Sequence, residues 1–98
     1  MLAIFNGSDQ RYRKWLKAHI AGFVINTRRR TDPDYIVLHR AACSLISRYT
    51  GVARSGAFTE RAYIKVCGEK VEELRSWAKS NGRPDGSFSI KCSRCKPL

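Results

Sequence analysis

The chain has 98 residues, with 19 Lys+Arg against 8 Asp+Glu and a formal charge of +11. That length makes one small domain, and a hydrophobic fraction of 43%, slightly under the globular norm, makes its core small. No apolar run approaches the ~20 residues of a membrane span, and so large a positive excess attracts polyanions, of which nucleic acid is the commonest in the cytosol.

Residues 2–5 form an apolar stretch that predicts a short edge strand or arm, broken by Asn6-Gly7. This stretch lacks the basic segment and the length of a secretory leader, so a cytoplasmic protein is expected. Ser8 suits a helix N-cap, and Asp9 puts a carboxylate in the first turn, where the dipole favours it. Tyr12, Trp15, Leu16 and His19 recur at helical spacing over residues 9–20, with Arg11, Arg13, Lys14 and Lys17 on the opposite face. Gly22 stops that helix. Residues 23–26 predict a strand, and residues 27–31 a basic loop carrying Arg28, Arg29 and Arg30. Asp32-Pro33-Asp34 is turn chemistry.

Residues 35–39 are the clearest strand. A period of two puts Tyr35, Val37 and His39 on one face and Ile36 and Leu38 on the other. A helix is expected over 42–49, with Cys43 in its first turn, Leu45, Ile46 and Tyr49 buried, and Gly51 ending it. Residues 52–62 predict a loop and residues 63–67 a third strand. Gly68 caps a last helix whose start carries Glu69, Glu72 and Glu73, as the dipole favours. Val71, Leu74, Trp77 and Ala78 form its apolar stripe, Lys79 lies in its last turn, and Gly82 sits at its C-terminal cap. Residues 88–91 form a final extended piece. The fold class expected is α+β: a small, mostly antiparallel sheet with about three helices and a structural zinc site. The chain is expected to be a single domain in which residues 1–34 are a basic helix and strand extension.

Cys92-Ser93-Arg94-Cys95 puts two thiolates on one tight turn, close enough to grip one ion. His39 and Cys43 form a His-x-x-x-Cys step, with His39 at a strand end and Cys43 one helical turn later. Together the four residues offer one imidazole and three thiolates, a set that suits tetrahedral zinc. Four cysteines in a cytosolic chain favour metal over disulfides, whereas two disulfides would compete in a secreted one. A bound ion would also help a small core to fold. The basic neighbours Arg40, Lys91, Arg94 and Lys96 are expected to lower the thiol pKa values. Cys67 reads first as a small buried hydrophobe. The alternative, in which it replaces His39 to make an all-cysteine site, stays open, although the three-residue gap to Cys43 favours His39.

These motifs resemble a family. The zinc module of the Ada DNA methyl-phosphotriester repair protein has a strand leading into Cys-x-x-x-Cys. A further strand, an acidic-started helix and Cys-x-x-Cys followed by a basic residue and Pro come next. Related small domains on some bacterial nucleases carry His in place of the first Cys. The matching stretches here are YIVLHRAAC (35–43), YIKVCGEKVEELRSWA (63–78) and CSRCKP (92–97), covering roughly the last two-thirds of the chain. The resemblance implies zinc held by His39, Cys43, Cys92 and Cys95. In Ada the first motif cysteine accepts the methyl group; His39 occupies that position here, and an imidazole ligand is a far poorer nucleophile than a zinc thiolate. The segment 81–91 is also longer than its counterpart.

The function expected is non-enzymatic nucleic-acid binding, DNA ahead of RNA, through Arg28, Arg29, Arg30, Arg11, Arg13 and Lys14. Four protein ligands leave a zinc ion no open position for a catalytic water, and no nucleophile–base set or phosphate-cradling glycine loop appears. No small-molecule substrate and no membrane partner are expected. The alternatives are a protein-interaction adaptor stapled by zinc and, behind it, a methyl-accepting repair protein.

Overall fold

Beginning at Leu2, polar turns punctuate short apolar runs, and each run becomes an element. In order these are β1 (Ala3–Phe5), α1 (Asp9–Ala18), β2 (Phe23–Arg28), β3 (Ile36–Arg40), β4 (Tyr63–Gly68), α2 (Val71–Ser80) and β5 (Ile90–Lys91), with a single 3-10 turn over Ser44–Ile46. The computed structural model describes residues 1–48 and 56–98. The strands make one sheet in the order β1-β4-β2-β3-β5, antiparallel throughout except for the β3–β5 pair. The α+β class and the mostly antiparallel sheet are as the sequence predicts. β2, drawn from the stretch expected to be an N-terminal extension, is the central strand.

The period of two sorts the strands onto two faces. Val24 lies opposite His39 on β3 and Cys67 on β4, and Cys67 lies opposite Ala3 on β1. Val24 and Cys67 pack with Tyr12 and Leu16 of α1 in one core cluster. One residue along, Ile25 lies opposite Leu38 and Val66, and this row packs with Leu74 of α2 in a second cluster. Each helix therefore covers one face. Trp15 and Trp77 lie partly buried against the first and second clusters respectively.

Ser8 caps α1 by accepting the Arg11 N–H on its hydroxyl at 3.1 Å. Asp9 does more than meet the dipole. It is 3% exposed, and its carboxylate accepts the N–H groups of Gly56, Phe58 and Thr59 at 2.8, 3.2 and 2.7 Å and the Thr59 hydroxyl at 2.7 Å. It thus moors the segment before β4. At the other end of the fold, Gly82 follows α2 with φ +104°, and a Cβ there would stand 2.6 Å from the Pro33 side chain, so both backbone and space require glycine.

Several expectations change. Gly68 ends β4 and does not cap the last helix, whose N-cap is Lys70. β2 runs on through Arg28, because Thr27 is buried and donates its hydroxyl to the Tyr35 carbonyl at 2.9 Å. Among the described residues of the helix expected over 42–49, the structure has a 3-10 turn at Ser44–Ile46. Cys43 keeps an extended backbone and its N–H turns back to the Arg40 carbonyl at 3.0 Å; Leu45 is 53% exposed and Ile46 is buried. Tyr49 and Gly51 lie outside the described residues. The described residues thus hold two α-helices rather than about three.

Candidate metal centre

Strand pairing assembles the site. β5 lies parallel to β3, with Val37 beside Ile90 and Leu38 beside Lys91. Ser89 pins this short strand, its hydroxyl accepting the Ile36 N–H at 2.7 Å and its own N–H reaching the Ile36 carbonyl at 3.0 Å. The Cys92 N–H then donates to the Leu38 carbonyl at 2.9 Å. Pairing thereby delivers Cys92 next to His39, and the turn after β3 folds Cys43 back toward both.

His39, Cys43, Cys92 and Cys95 form one cluster whose ligand atoms all lie within 4.8 Å of one another. The Cys43 and Cys92 sulfurs are 4.0 Å apart, close to the roughly 3.8 Å that tetrahedral geometry with 2.3 Å metal–sulfur bonds requires. His39, Cys43 and Cys92 are buried and Cys95 is half-buried. Nδ1 of His39 is buried without a hydrogen-bond partner, a costly state for a polar atom and one that a bound cation would relieve. The four residues fit a metal ion.

The electrostatics suit the same role. Burial, helped by the charge of Lys65, lowers the His39 pKa to about 4, so the imidazole is neutral at physiological pH and keeps a free lone pair. Burial raises the Cys43 thiol to about 11. Burial also pushes Cys92 upward, but the backbone N–H groups of Cys95 and Arg94 and the neighbouring thiols outweigh it and bring the net shift down. The causes differ from those expected: backbone donors in the turn, not basic side chains, favour the Cys92 thiolate. Metal binding would displace the remaining thiol protons.

The turn itself is closed by the Lys96 N–H donating to the Cys92 carbonyl at 3.0 Å, with Lys96 in the left-handed region at φ +46°. Arg40 completes it. Its backbone N–H donates to the Cys95 sulfur at 3.2 Å, and its guanidinium donates to the Cys95 and Lys96 carbonyls at 3.0–3.2 Å. The sequence marked Arg40 only as a nearby charge. Cys67 stays outside the cluster. It is fully buried in the first core cluster, where burial pushes its thiol well above the ordinary range.

The six basic residues named from sequence separate into different roles. Arg11, Arg13 and Lys14 are exposed on α1. Arg13 and Lys14, with Lys17, line an open groove of about 710 Å³ that also takes in Ser8, Asp9 and Glu60. Arg28 lies 3.6 Å from the Asp32 carboxylate and 4.6 Å from the Tyr35 ring centroid. Arg29 donates through its guanidinium to three carbonyls, Arg61 at 2.9 Å and Asn6 and Thr59 at 2.7 Å. Arg30 is exposed.

One cation is buried where no charge is expected from sequence. Lys65 is 3% exposed and donates to the Asn26 side-chain oxygen at 2.9 Å and the Phe58 carbonyl at 2.7 Å. The rings of Tyr12, Phe58 and Tyr63 lie 5.8–5.9 Å from its ammonium. Its place between Tyr63 and Cys67 at strand spacing was the available sign that it points inward.

No family model, curated protein or solved structure matches this chain.

Proposed function

We propose that the cluster holds one structural zinc ion and that the domain it staples is a non-enzymatic nucleic-acid-binding module with DNA as its favoured ligand. The observation that carries the reading is the exposed cationic face of α1, where Arg11, Arg13, Lys14 and Lys17 all face outward on a chain of formal charge +11. Phosphates need such a face, and their neutralisation releases counterions. Zinc is favoured over other divalent ions because three soft thiolates and one imidazole form the donor set. The His-x-x-x-Cys and Cys-x-x-Cys pairing also supports kinship with the Ada-type zinc module. Methyl transfer is not part of the proposal. An imidazole stands where that module has its acceptor sulfur, and the half-buried Cys95 sulfur already accepts a hydrogen bond from Arg40, which lowers its nucleophilicity.

A protein-interaction adaptor is the second reading. The observation favouring it is the exposure of Ile20 and Leu45, 63% and 53% respectively. Ile20 borders a small groove lined by Leu16, Ala41 and Ala42 and rimmed by Arg13 and Lys17.

Two measurements test the proposal. Purified protein should carry about one zinc per chain by elemental analysis. Affinity for duplex DNA should fall at least roughly tenfold between low and physiological salt, and Arg11→Ala with Lys14→Ala should weaken it and flatten the salt slope. Absence of binding to DNA and RNA at low salt would transfer the function to the adaptor reading.

A further inference from the structure

Antiparallel register puts Arg28 of β2 directly opposite Tyr63 of β4. The β2–β3 pairing, carried one residue past Thr27 and Ile36, puts Tyr35 on the other side of Arg28. Residues opposite one another share a sheet face, so the three form a cross-strand row. It lies at the Tyr35 end of the strand whose other end carries His39, away from the metal centre.

The two rings have come together. Their centroids are 5.7 Å apart with planes inclined at 37°, and the Arg28 guanidinium rests 4.6 Å from the Tyr35 centroid. Neither tyrosine belongs to either core cluster, and both are half-buried. Arg28 lies against the Tyr35 ring and the Lys65 ammonium stands 5.9 Å from the Tyr63 centroid, so what the pair offers a ligand is the half-exposed remainder of the two rings. Arg30 and Arg61, both exposed, stand close in sequence to Arg28 and Tyr63. Arg29 ties the β2 end to the segment ahead of β4 through the Arg61 and Thr59 carbonyls, so the platform rests on anchored backbone.

We infer that the Tyr35–Tyr63 pair with Arg28 is a stacking platform for unpaired bases, and that the ligand of this end of the sheet is single-stranded nucleic acid. The inference rests on the nucleic-acid reading and narrows it. In a duplex each base face is already stacked, whereas an unpaired base offers its face to an aromatic ring, with the guanidinium adding cation–π and phosphate contacts. Every base has a π-face, so the platform is tolerant of sequence.

The test is fluorescence anisotropy with a labelled oligothymidine and a labelled duplex of equal length, at one salt concentration. Wild type should bind the single strand more tightly. Tyr35→Ala with Tyr63→Ala should weaken single-strand binding roughly tenfold or more and leave duplex binding essentially unchanged. Tyr35→Phe with Tyr63→Phe should retain it, because the rings remain. Tyr35→Leu with Tyr63→Leu keeps apolar bulk without a π-face and should reproduce the loss if the alanine pair is too unstable to assay. Metal content and thermal midpoint on the same samples certify the fold. Wild-type preference for the duplex, equal losses on both ligands, or unchanged single-strand affinity in the alanine and leucine variants would overturn the platform and leave nucleic-acid binding standing. No binding of wild type to either ligand at low salt would overturn both.

Discussion

The backbone N–H of Arg40 points at the sulfur of Cys95 from 3.2 Å, although 55 residues separate them in the chain. The same residue clasps the Cys95 and Lys96 carbonyls with its guanidinium. Arg40 follows the candidate ligand His39 directly, so one residue couples the strand-borne half of the cluster to the Cys-x-x-Cys turn. A donor to a ligating sulfur stabilises the thiolate, and partners around a ligand shell hold the ligands in place.

Arg40→Ala keeps the backbone donor and removes the side-chain clasp. It should lower metal affinity roughly tenfold, measured by competition with a chromophoric chelator. Arg40→Lys should recover only part of this, because an ammonium cannot reproduce the planar fork that reaches two carbonyls. Wild-type affinity in Arg40→Ala would show that the turn holds its shape without the clasp.

Cys67 tests the composition of the site. Cys43→Ser, Cys92→Ser and Cys95→Ser should each lose most of the metal. Cys67→Ser should keep it but unfold more readily, by about 1–3 kcal/mol, because a hydroxyl is placed in a fully buried apolar site. Elemental analysis and denaturant midpoints read the two effects separately. Loss of metal from Cys67→Ser with retention in His39→Ala would make the site all-cysteine.

The cluster of His39, Cys43, Cys92 and Cys95 was legible in the sequence because its two halves are local. His39 and Cys43 share one strand end, Cys92 and Cys95 share one turn, and few arrangements satisfy both spacings. The strands at 35–39 and 63–67 and the helix starting at Asp9 were legible for the same reason: their periodicity is continuous. What the sequence did not carry was partnership between distant segments. Nothing local tells that Arg29 reaches three carbonyls, that Asp9 is consumed by the backbone of 56–59, or that Lys65 points inward. At Ser44–Ile46 the Ser47 hydroxyl donates to the Cys43 carbonyl at 2.9 Å, a local side-chain bond that competes with the helical ladder and that periodicity does not reveal.

Arg29 and Arg30 are neighbours with opposite roles. The Arg29 guanidinium fills hydrogen-bond sites on Asn6, Thr59 and Arg61, so its removal strips three carbonyls of a charged donor. Arg29→Ala should destabilise the protein by about 1–3 kcal/mol, while Arg30→Ala should fall within roughly 0.5 kcal/mol of wild type. Urea midpoints decide this. A variant replacing both would confound folding with binding, so the surface at this end of β2 is better probed by Arg28→Ala with Arg30→Ala. Equal stabilities for Arg29→Ala and Arg30→Ala would mean that the three carbonyls are as well served by water.

Lys65 gives the fold a pH signature. Burial lowers its pKa from 10.5 to about 8, so the native state disfavours the charged amine relative to the unfolded chain. Below pH 8 both states hold the proton, and the full cost of burying the charge, about 3 kcal/mol, is present. Between about pH 8 and 10.5 the native state releases the proton before the unfolded chain does. The unfolded chain then binds more protons, and the Lys65 contribution makes stability rise with pH. Its surroundings constrain the measurement. Asp9 and Cys67 interact with Lys65 and raise its pKa, while Lys65 helps to lower that of His39. The raised thiol of Cys67 and the raised phenol of Tyr12 pull the opposite way, since the unfolded chain ionises them first. The comparison is therefore between wild type and Lys65→Met, in which Cys67 and Tyr12 are common to both. From pH 8 to 10 the stability of wild type should rise relative to the variant, by up to about 2–3 kcal/mol. Parallel stability curves for the two proteins across that window would show that Lys65 titrates in the fold as it does in the unfolded chain.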